Sequence, residues 1–297
     1  MLNILIVIIL GVVEGVTEWL PVSSTGHLIL FGNLLSPDFS KEYMEMFNVV
    51  IQLGAILAVV VIFFNKIWPF HKKNNGLIYS QFRNPDYRGS FGKLQKFADN
   101  YIYMDRIVLW IKIAVSSIPA LAVGVLLEDW FEEHLHKPVP VAIMLILYGV
   151  LFILIERWNE DRPAGITKIK KITFGTAFII GCFQALALIP GTSRSGATII
   201  GALILGLSRT CAAEYTFYMA IPAMLGASVI KLAKFGLSFT AVEFLCLILG
   251  MVIAFAVSML IVRFLMNFVR NHDFKVFGYY RIALGIAVIV CAAAGVI

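Results

Sequence analysis

Two polar stretches carry the side chains of this apolar chain that could do chemistry. The first holds Glu14, Glu18 and His27, and the second holds Arg194 among serines and threonines. Both stretches lie within segments apolar enough to be buried in a membrane. Ionisable groups there cost about 2.5–3.5 kcal/mol each on insertion scales, so four of them indicate a functional site.

Hydroxyl side chains gather in each stretch at the expected start of a helix. A helix N-terminus offers free backbone N–H groups and the positive end of a dipole, which suit a phosphate. Arg194 can add bidentate, charge-assisted hydrogen bonds to the phosphate. We therefore expect two helix starts to converge on one anion. The predicted substrate-binding residues are Ser23, Ser24 and Thr25 in the first stretch and Ser193, Ser195 and Thr198 in the second.

The remaining groups in the first stretch supply reactivity. Glu14 and Glu18 could hold a divalent cation against a diphosphate or act as acid and base. His27 could relay a proton or attack phosphorus itself. This set predicts a phosphohydrolase, and it leaves the nucleophile open between His27, a serine and water. Serine is also a routine helix cap, so a structural role is the alternative for the individual hydroxyls.

Composition predicts an all-α polytopic membrane protein. Of the 297 residues, 60% are hydrophobic and only 14% are charged, which is far from the balance of a soluble domain. Apolar runs of about 20 residues are long enough to cross a bilayer. We expect one integral membrane domain over residues 1–297, with six full spans at about 43–65, 107–127, 139–156, 211–231, 241–265 and 280–297.

The two polar stretches lie in related units. Residues 1–35 and 172–206 each read as a short helix, a polar loop and a second short helix, too short to span. Sliding the chain by 170 residues superposes Gly11 on Gly181 and Ser23 on Ser193. Three predicted spans separate the units. Because three is odd, the two units must enter the membrane from opposite faces. We therefore predict re-entrant units in an inverted-topology repeat, with repeat 1 at about 1–65 and repeat 2 at about 172–231.

Charge indicates topology rather than a nucleic-acid partner. The formal net charge is +6, and the basic residues are spread over separate loops. Residues 66–106, 156–173 and 263–281 are rich in lysine and arginine, whereas residues 127–139 are acidic. The positive-inside rule places the basic loops in the cytoplasm and the acidic one outside.

Both stretches resemble the motifs of one family. Residues 14–27 are similar to the ExxxE glutamate motif with its following histidine, and residues 190–198 to the PGxSRSxxT motif, of the undecaprenyl-diphosphatase (bacitracin-resistance) family. Both motifs match without departure, in the right order. The resemblance covers essentially the whole chain.

The resemblance implies a bacterial plasma-membrane enzyme that hydrolyses undecaprenyl diphosphate to undecaprenyl phosphate and phosphate, recycling the lipid carrier of cell-wall synthesis. It also implies bacitracin resistance, a site open to the outer face and a divalent cation, Mg or Ca, at Glu14 and Glu18. Carried over from the family motifs, the central residues of the site are Glu14, Glu18, His27 and Arg194. The expected partners are the polyprenyl diphosphate and membrane lipid, a homodimer being left open.

Two rival interpretations follow from the same residues. Inverted repeats around a buried site are also transporter architecture, so the alternative is a polyprenyl-phosphate transporter or flippase. A second lipid-phosphatase superfamily shares short elements like Ser24-Thr25-Gly26-His27 and Ser193-Arg194. That superfamily also has a histidine soon after its Ser-Arg pair. This chain lacks a counterpart, because no histidine follows Arg194 until His272.

Overall fold

The protein is a bundle of α-helices in which groups of short helices are each followed by longer ones. The computed structural model describes residues 2–31, 38–71, 97–98, 100–236 and 238–297. The helices are α1 (Leu2–Thr17), α2 (Ser24–Phe31), α3 (Lys41–Val50), α4 (Gln52–Ile67), α5 (Met104–Leu135), α6 (Pro138–Asn159), α7 (Phe174–Leu186), α8 (Arg194–Ile204), α9 (Arg209–Phe235), α10 (Ala241–Asn271) and α11 (Lys275–Ala293). A 3₁₀ turn at Ile169–Lys171 precedes α7.

Six segments of the described chain are long and apolar enough to cross a membrane, which confirms the predicted number. They are Lys41–Ile67, Met104–Leu127, Pro138–Asn159, Arg209–Phe235, Ala241–Asn271 and Lys275–Ala293. The first of them, α3 with α4, is interrupted at Ile51. The last begins earlier than predicted and ends at Ala293.

Two predicted loops are partly helical. The acidic segment 127–139 continues α5 as far as Leu135. Most of segment 263–281 lies in α10 and α11, and Arg281 is buried rather than part of a loop. The end of the predicted return helix at 32–35 and most of the basic loop 66–106 lie outside the described residues.

Local sequence explains where several helices begin. Thr240 and Glu243 form a capping box at the start of α10, in which each side chain accepts a hydrogen bond from the other residue's backbone N–H. Ser208 accepts from the backbone N–H of Cys211 at the start of α9. Pro138 occupies the first turn of α6, where its missing N–H costs nothing.

Glycines allow the helices to approach closely. A Cβ added at Gly11 would lie 3.0 Å from the carbonyl oxygen of Gly250, and one at Gly15 would lie 2.9 Å from that of Ala254, so α1 packs tightly on α10. Gly181 makes the matching approach of α7 to α5, at the Ser116 carbonyl. Small residues at such crossings are typical of helix packing in membranes.

The contacts between helices come in exchanged pairs. Helix α1 packs on α10 and α7 packs on α5, while α2 contacts α11 and α8 contacts α6. Helices α6 and α11 pack against each other, as do α4 and α9. If each helix of the first half is replaced by its counterpart in the second half, and the reverse, the same set of helix contacts results. The re-entrant course and the inverted topology stay predictions.

Candidate active site

Each of the two loops between short helices contains a serine with positive φ. Ser23 and Ser193 are the non-glycine residues of the described chain with positive φ, at 72° and 69°. Each serine precedes a helix and accepts a hydrogen bond from a backbone N–H three residues on, that of Gly26 at 3.4 Å and that of Gly196 at 3.3 Å. A left-handed serine costs about 1–3 kcal/mol. The two serines predicted to correspond are therefore equivalent in conformation and in capping role.

An ion pair joins the two loops. Nη2 of Arg194, at the start of α8, donates to Oε1 of Glu18 at 2.9 Å, and Nε donates to the same oxygen at 3.3 Å. Glu18 lies in the turn after α1, and its backbone N–H still donates to the Glu14 carbonyl at 3.0 Å. Both side chains are mostly buried. The ion pair thus joins one predicted central residue from each stretch, and Glu14, described below, interacts with both.

The hydroxyls of the second stretch brace this ion pair. Ser195 donates to the backbone carbonyl of Glu18 at 3.2 Å, and Thr198 donates to that of Arg194 at 2.9 Å. Thr216 of α9, which the motifs do not include, donates to the Thr198 hydroxyl at 2.9 Å, and its carbonyl accepts from Arg194. Ser195 and Thr198 therefore hold the backbone around the arginine.

Ser24 and Thr25 differ from the other predicted substrate-binding hydroxyls. Both begin α2, and their side chains are half-buried. Neither hydroxyl makes a hydrogen bond with another residue that the structure describes. They remain available to an anion at the start of α2.

Glu14 lies deepest in the site. Its side chain is buried, and Oε1 has no hydrogen-bond partner among the described residues. The groups that interact with its carboxyl are Glu18, Gln52 and Arg194. A buried carboxylate oxygen without a donor is costly unless another group satisfies it.

The two glutamates provide hard oxygen ligands that fit a divalent cation. Mg²⁺ is commonly held by one or two carboxylates together with phosphate oxygens and water. No group of three or more His, Cys, Asp or Glu side chains that could hold a metal is found in the described chain. A cation at Glu14 and Glu18 would therefore draw its remaining ligands from substrate and water.

His27 lies on α2 and is held between two partners. Its Nδ1 is 2.7 Å from the Ser23 carbonyl oxygen, and its Nε2 is 2.7 Å from the Tyr280 hydroxyl. A carbonyl only accepts, so Nδ1 carries a proton, and neutral Nε2 accepts from the tyrosine. No hydrogen bond or ion pair of the described residues links His27 to the other three central residues.

Arg281 is the residue that the motifs missed. It is fully buried in α11 and donates from Nη1 to the Pro21 carbonyl at 3.3 Å, in the first loop. Its Nη2 donates to the carbonyls of Gly191 and Thr192 at 2.8 and 2.9 Å, in the second loop. Arg281 therefore ties both loops together from behind. Its presence within an apolar span was the available signal.

The chain is similar to known proteins over nearly its whole length. A family model described as bacitracin resistance protein BacA matches residues 7–287. An undecaprenyl-diphosphatase of Enterococcus faecalis is 52% identical over 292 residues, 98% of each chain. One of Lachnoclostridium phytofermentans is 50% identical over 284 residues, 96% of this chain and 95% of the relative.

A third relative, the undecaprenyl-diphosphatase of Acetivibrio thermocellus, is 47% identical over 290 residues, 97% of each chain. Together with the six apolar spans, this likeness makes the chain a multi-pass membrane protein. The residues matched include both loops and Arg281. The chain belongs to the bacitracin resistance protein BacA family.

Proposed function

We propose that the protein is an undecaprenyl-diphosphate phosphatase, which hydrolyses undecaprenyl diphosphate to undecaprenyl phosphate and inorganic phosphate. The observation that carries the proposal is the mostly buried Glu18–Arg194 ion pair, which joins the turn after α1 to the start of α8. The relatives named above are called undecaprenyl-diphosphatases, which supports this activity. The product is the lipid carrier of cell-wall synthesis, and its recycling underlies bacitracin resistance.

The two helix starts would bind the diphosphate. Backbone N–H groups at the starts of α2 and α8 would donate to the anion, and the hydroxyls of Ser24 and Thr25 have no competing partner among the described residues. Arg194 would exchange one contact with Glu18 for a phosphate oxygen. Its fixed fork then stabilises charge that develops on the terminal phosphoryl group.

The bond that breaks is the phosphoanhydride. A nucleophile attacks the terminal phosphorus, the bridging oxygen leaves with undecaprenyl phosphate, and a carboxylate or His27 takes the proton of the attacking group. Three nucleophiles stay open: water, a serine and His27. Water would release phosphate directly, whereas a serine or His27 would first keep the phosphoryl group, and a second attack by water would then release phosphate and restore the side chain. Attack or proton transfer at Nε2 of His27 requires the Tyr280 hydroxyl to give up its hydrogen bond.

We further propose that Glu14 and Glu18 hold a divalent cation. Oε1 of Glu14 supports this assignment, because it is buried and has no hydrogen-bond partner among the described residues. When bound, the cation would neutralise charge on the diphosphate. Chelation of the purified protein is expected to abolish phosphate release, and added Mg²⁺ or Ca²⁺ to restore it. Unchanged release after chelation and dialysis would remove the cation from the proposal.

We place the protein in the bacterial plasma membrane, with the site facing outside. The basic segment 156–173 supports a cytoplasmic position for that end of the bundle. The exchanged helix contacts and the equivalent serines support two re-entrant units of opposite orientation. The isoprenoid tail would lie between the helices, and a homodimer stays open.

A transporter or flippase is not favoured. The three relatives carry the name of the hydrolase, and pure binding of a phosphate does not require paired carboxylates beside the anion. Lipid movement in liposomes without phosphate release would reverse this preference.

The test is phosphate release from a C15 or C55 diphosphate by the purified protein. We expect release by the wild-type chain and by Arg270→Ala, which removes an exposed arginine at the end of α10. Wild-type protein that binds the diphosphate but releases no phosphate would contradict the proposed function.

A further inference from the structure

A cavity with several charged side chains is lined by residues outside the two loops. Its volume is about 430 Å³, within the usual range of ligand pockets. It is formed by the end of α4, the start of α5, the 3₁₀ turn and the first turns of α9. These elements flank the basic segments predicted to face the cytoplasm.

The cavity has an excess of positive charge among its described lining residues. The cations are Lys66, Arg106, Lys112, Lys168 and Lys170, and the carboxylates are Asp105 and Glu214. Each carboxylate is already paired, because Lys66 lies 2.8 Å from Glu214 and Lys170 lies 2.8 Å from Asp105. The other three cations therefore have no carboxylate in the cavity to neutralise them.

Lys112 is the informative member of this group. The residue is 8% exposed, yet its ammonium makes a single long hydrogen bond, 3.4 Å to the Lys170 carbonyl, and lies 5.7 Å from the Phe174 ring centroid. No ion pair involves it among the described residues. The residue is mostly shielded by protein, and its ammonium faces the cavity without a counter-ion among the described residues, which is unfavourable. An anion in the cavity would supply the missing charge.

The surroundings of the cavity match the level of lipid head groups. Arg106 lies over the ring of Tyr103 at 3.8 Å and donates to the Trp68 carbonyl. Exposed Trp and Tyr side chains at a helix end are typical of the membrane interface. Next to Lys112, the apolar side chains of Ile111 and Phe174 are exposed on α5 and α7, where a hydrocarbon tail could lie.

We propose that this cavity binds the phosphate head group of an anionic membrane lipid, held by Lys112 and Lys168. This site is separate from the one in which the diphosphate is hydrolysed. It gives the protein a lipid contact lined by residues outside the two loops, independent of the phosphatase proposal.

The experiment measures the affinity of the purified full-length protein in uncharged detergent for dioctanoyl phosphatidic acid. Lys112→Met and Lys168→Gln are each expected to weaken binding about tenfold, the effect of losing one charged hydrogen bond. Lys171→Gln is the matched control, because Lys171 is an exposed lysine of the same 3₁₀ turn that does not line the cavity. Wild-type affinity in both cavity variants would overturn the proposal.

Three further measurements separate the sources of binding. Arg194→Gln should keep its affinity for the lipid, and loss of all binding in that variant would assign the anion to the active site instead. Dioctanoylglycerol, which lacks the phosphate, should not compete. Inorganic phosphate should bind at least tenfold more weakly than the lipid, and equal affinity would overturn the assignment to a lipid.

Lys112→Met also tests folding directly. Because it removes an uncompensated buried charge, we expect its melting temperature without lipid to equal or exceed that of the wild type. A lower melting temperature would show that the ammonium is already satisfied, and would contradict the proposal.

Discussion

The loop after α1 and the loop after α7 share a capping serine and differ in their charged side chains. Ser23 and Ser193 both have positive φ, and each accepts a hydrogen bond from a backbone N–H three residues on. At equivalent positions the first loop has Ser24 where the second has Arg194. The comparison shows that a serine cap with positive φ occurs in both loops, while the charged side chains differ between them.

The same division holds at the end of the preceding helices. Glu14 of α1 corresponds to Gln184 of α7, and Glu18 corresponds to Leu188. Glu14 and Gln184 are both buried, and each has an Oε1 atom without a partner in the described structure. The negative charges thus belong to the first loop and the positive charge to the second, and the Glu18–Arg194 pair makes one site of them.

Removing the positive charge of the second loop should have the largest effect. Arg194→Ala is expected to lower kcat/KM for phosphate release about 10³-fold, the scale of an arginine that stabilises phosphoryl transfer. Arg194→Lys should recover only part of this, because lysine lacks the planar fork. Activity of Arg194→Ala within twofold of wild type would show that the second loop is not part of the site.

Making the first loop resemble the second should have the next largest effect. Glu14→Gln, which copies Gln184, is expected to lower phosphate release about 10²-fold because it removes a carboxylate from the reaction. The matched control is Gln184→Met, which should change release less than threefold and leave stability equal or higher, since it removes an unpaired buried oxygen. Equal losses in both variants would contradict the division of roles.

Arg281→Met tests whether the two loops depend on one support. The change leaves the carbonyls of Pro21, Gly191 and Thr192 without their donor, and we expect the free energy of unfolding to fall by about 3 kcal/mol. Phosphate release should fall as well, through misplacement of both loops. Thermal unfolding followed by circular dichroism measures the first effect. An unchanged melting temperature would mean that Arg281 does not hold the loops.

The capping serines should show the smallest effects, and equal ones. Ser23→Gly and Ser193→Gly relieve the positive φ at little capping cost, so each should be neutral or stabilising by up to about 1 kcal/mol. Ser23→Ala and Ser193→Ala keep the strain and lose the cap, which should destabilise by about 1 kcal/mol. Opposite signs at the two positions would break the proposed equivalence.

Much of this arrangement was predictable from the sequence, for identifiable reasons. The six spans follow from apolar length alone. Glu14, Glu18 and Arg194 stand out because ionisable groups are rare in apolar segments. The correspondence of Ser23 with Ser193 required only the offset between the stretches, and the shared φ and capping bond fit it.

Other features depend on contacts between distant segments. The charge pattern of the sequence places Arg281 in the basic segment 263–281. Its hydrogen bonds to the carbonyls of Pro21 and Gly191 form only when α11 packs behind both loops. Tyr280 belongs to neither motif, yet its hydroxyl lies 2.7 Å from Nε2 of His27. The cavity around Lys112 is formed by four separate segments. Sequence patterns report burial and periodicity, and they do not report which surfaces meet.

The central claim is that the two loops form a single site, and a double-mutant cycle on Glu18 and Arg194 tests it most directly. The measurement is kcat/KM for phosphate release from undecaprenyl diphosphate by wild type, Glu18→Ala, Arg194→Ala and the double variant. Groups that act as one unit are strongly non-additive, so the double variant should be about as active as the weaker single variant. Losses that multiply would contradict the account, because they would mean that the loops act independently.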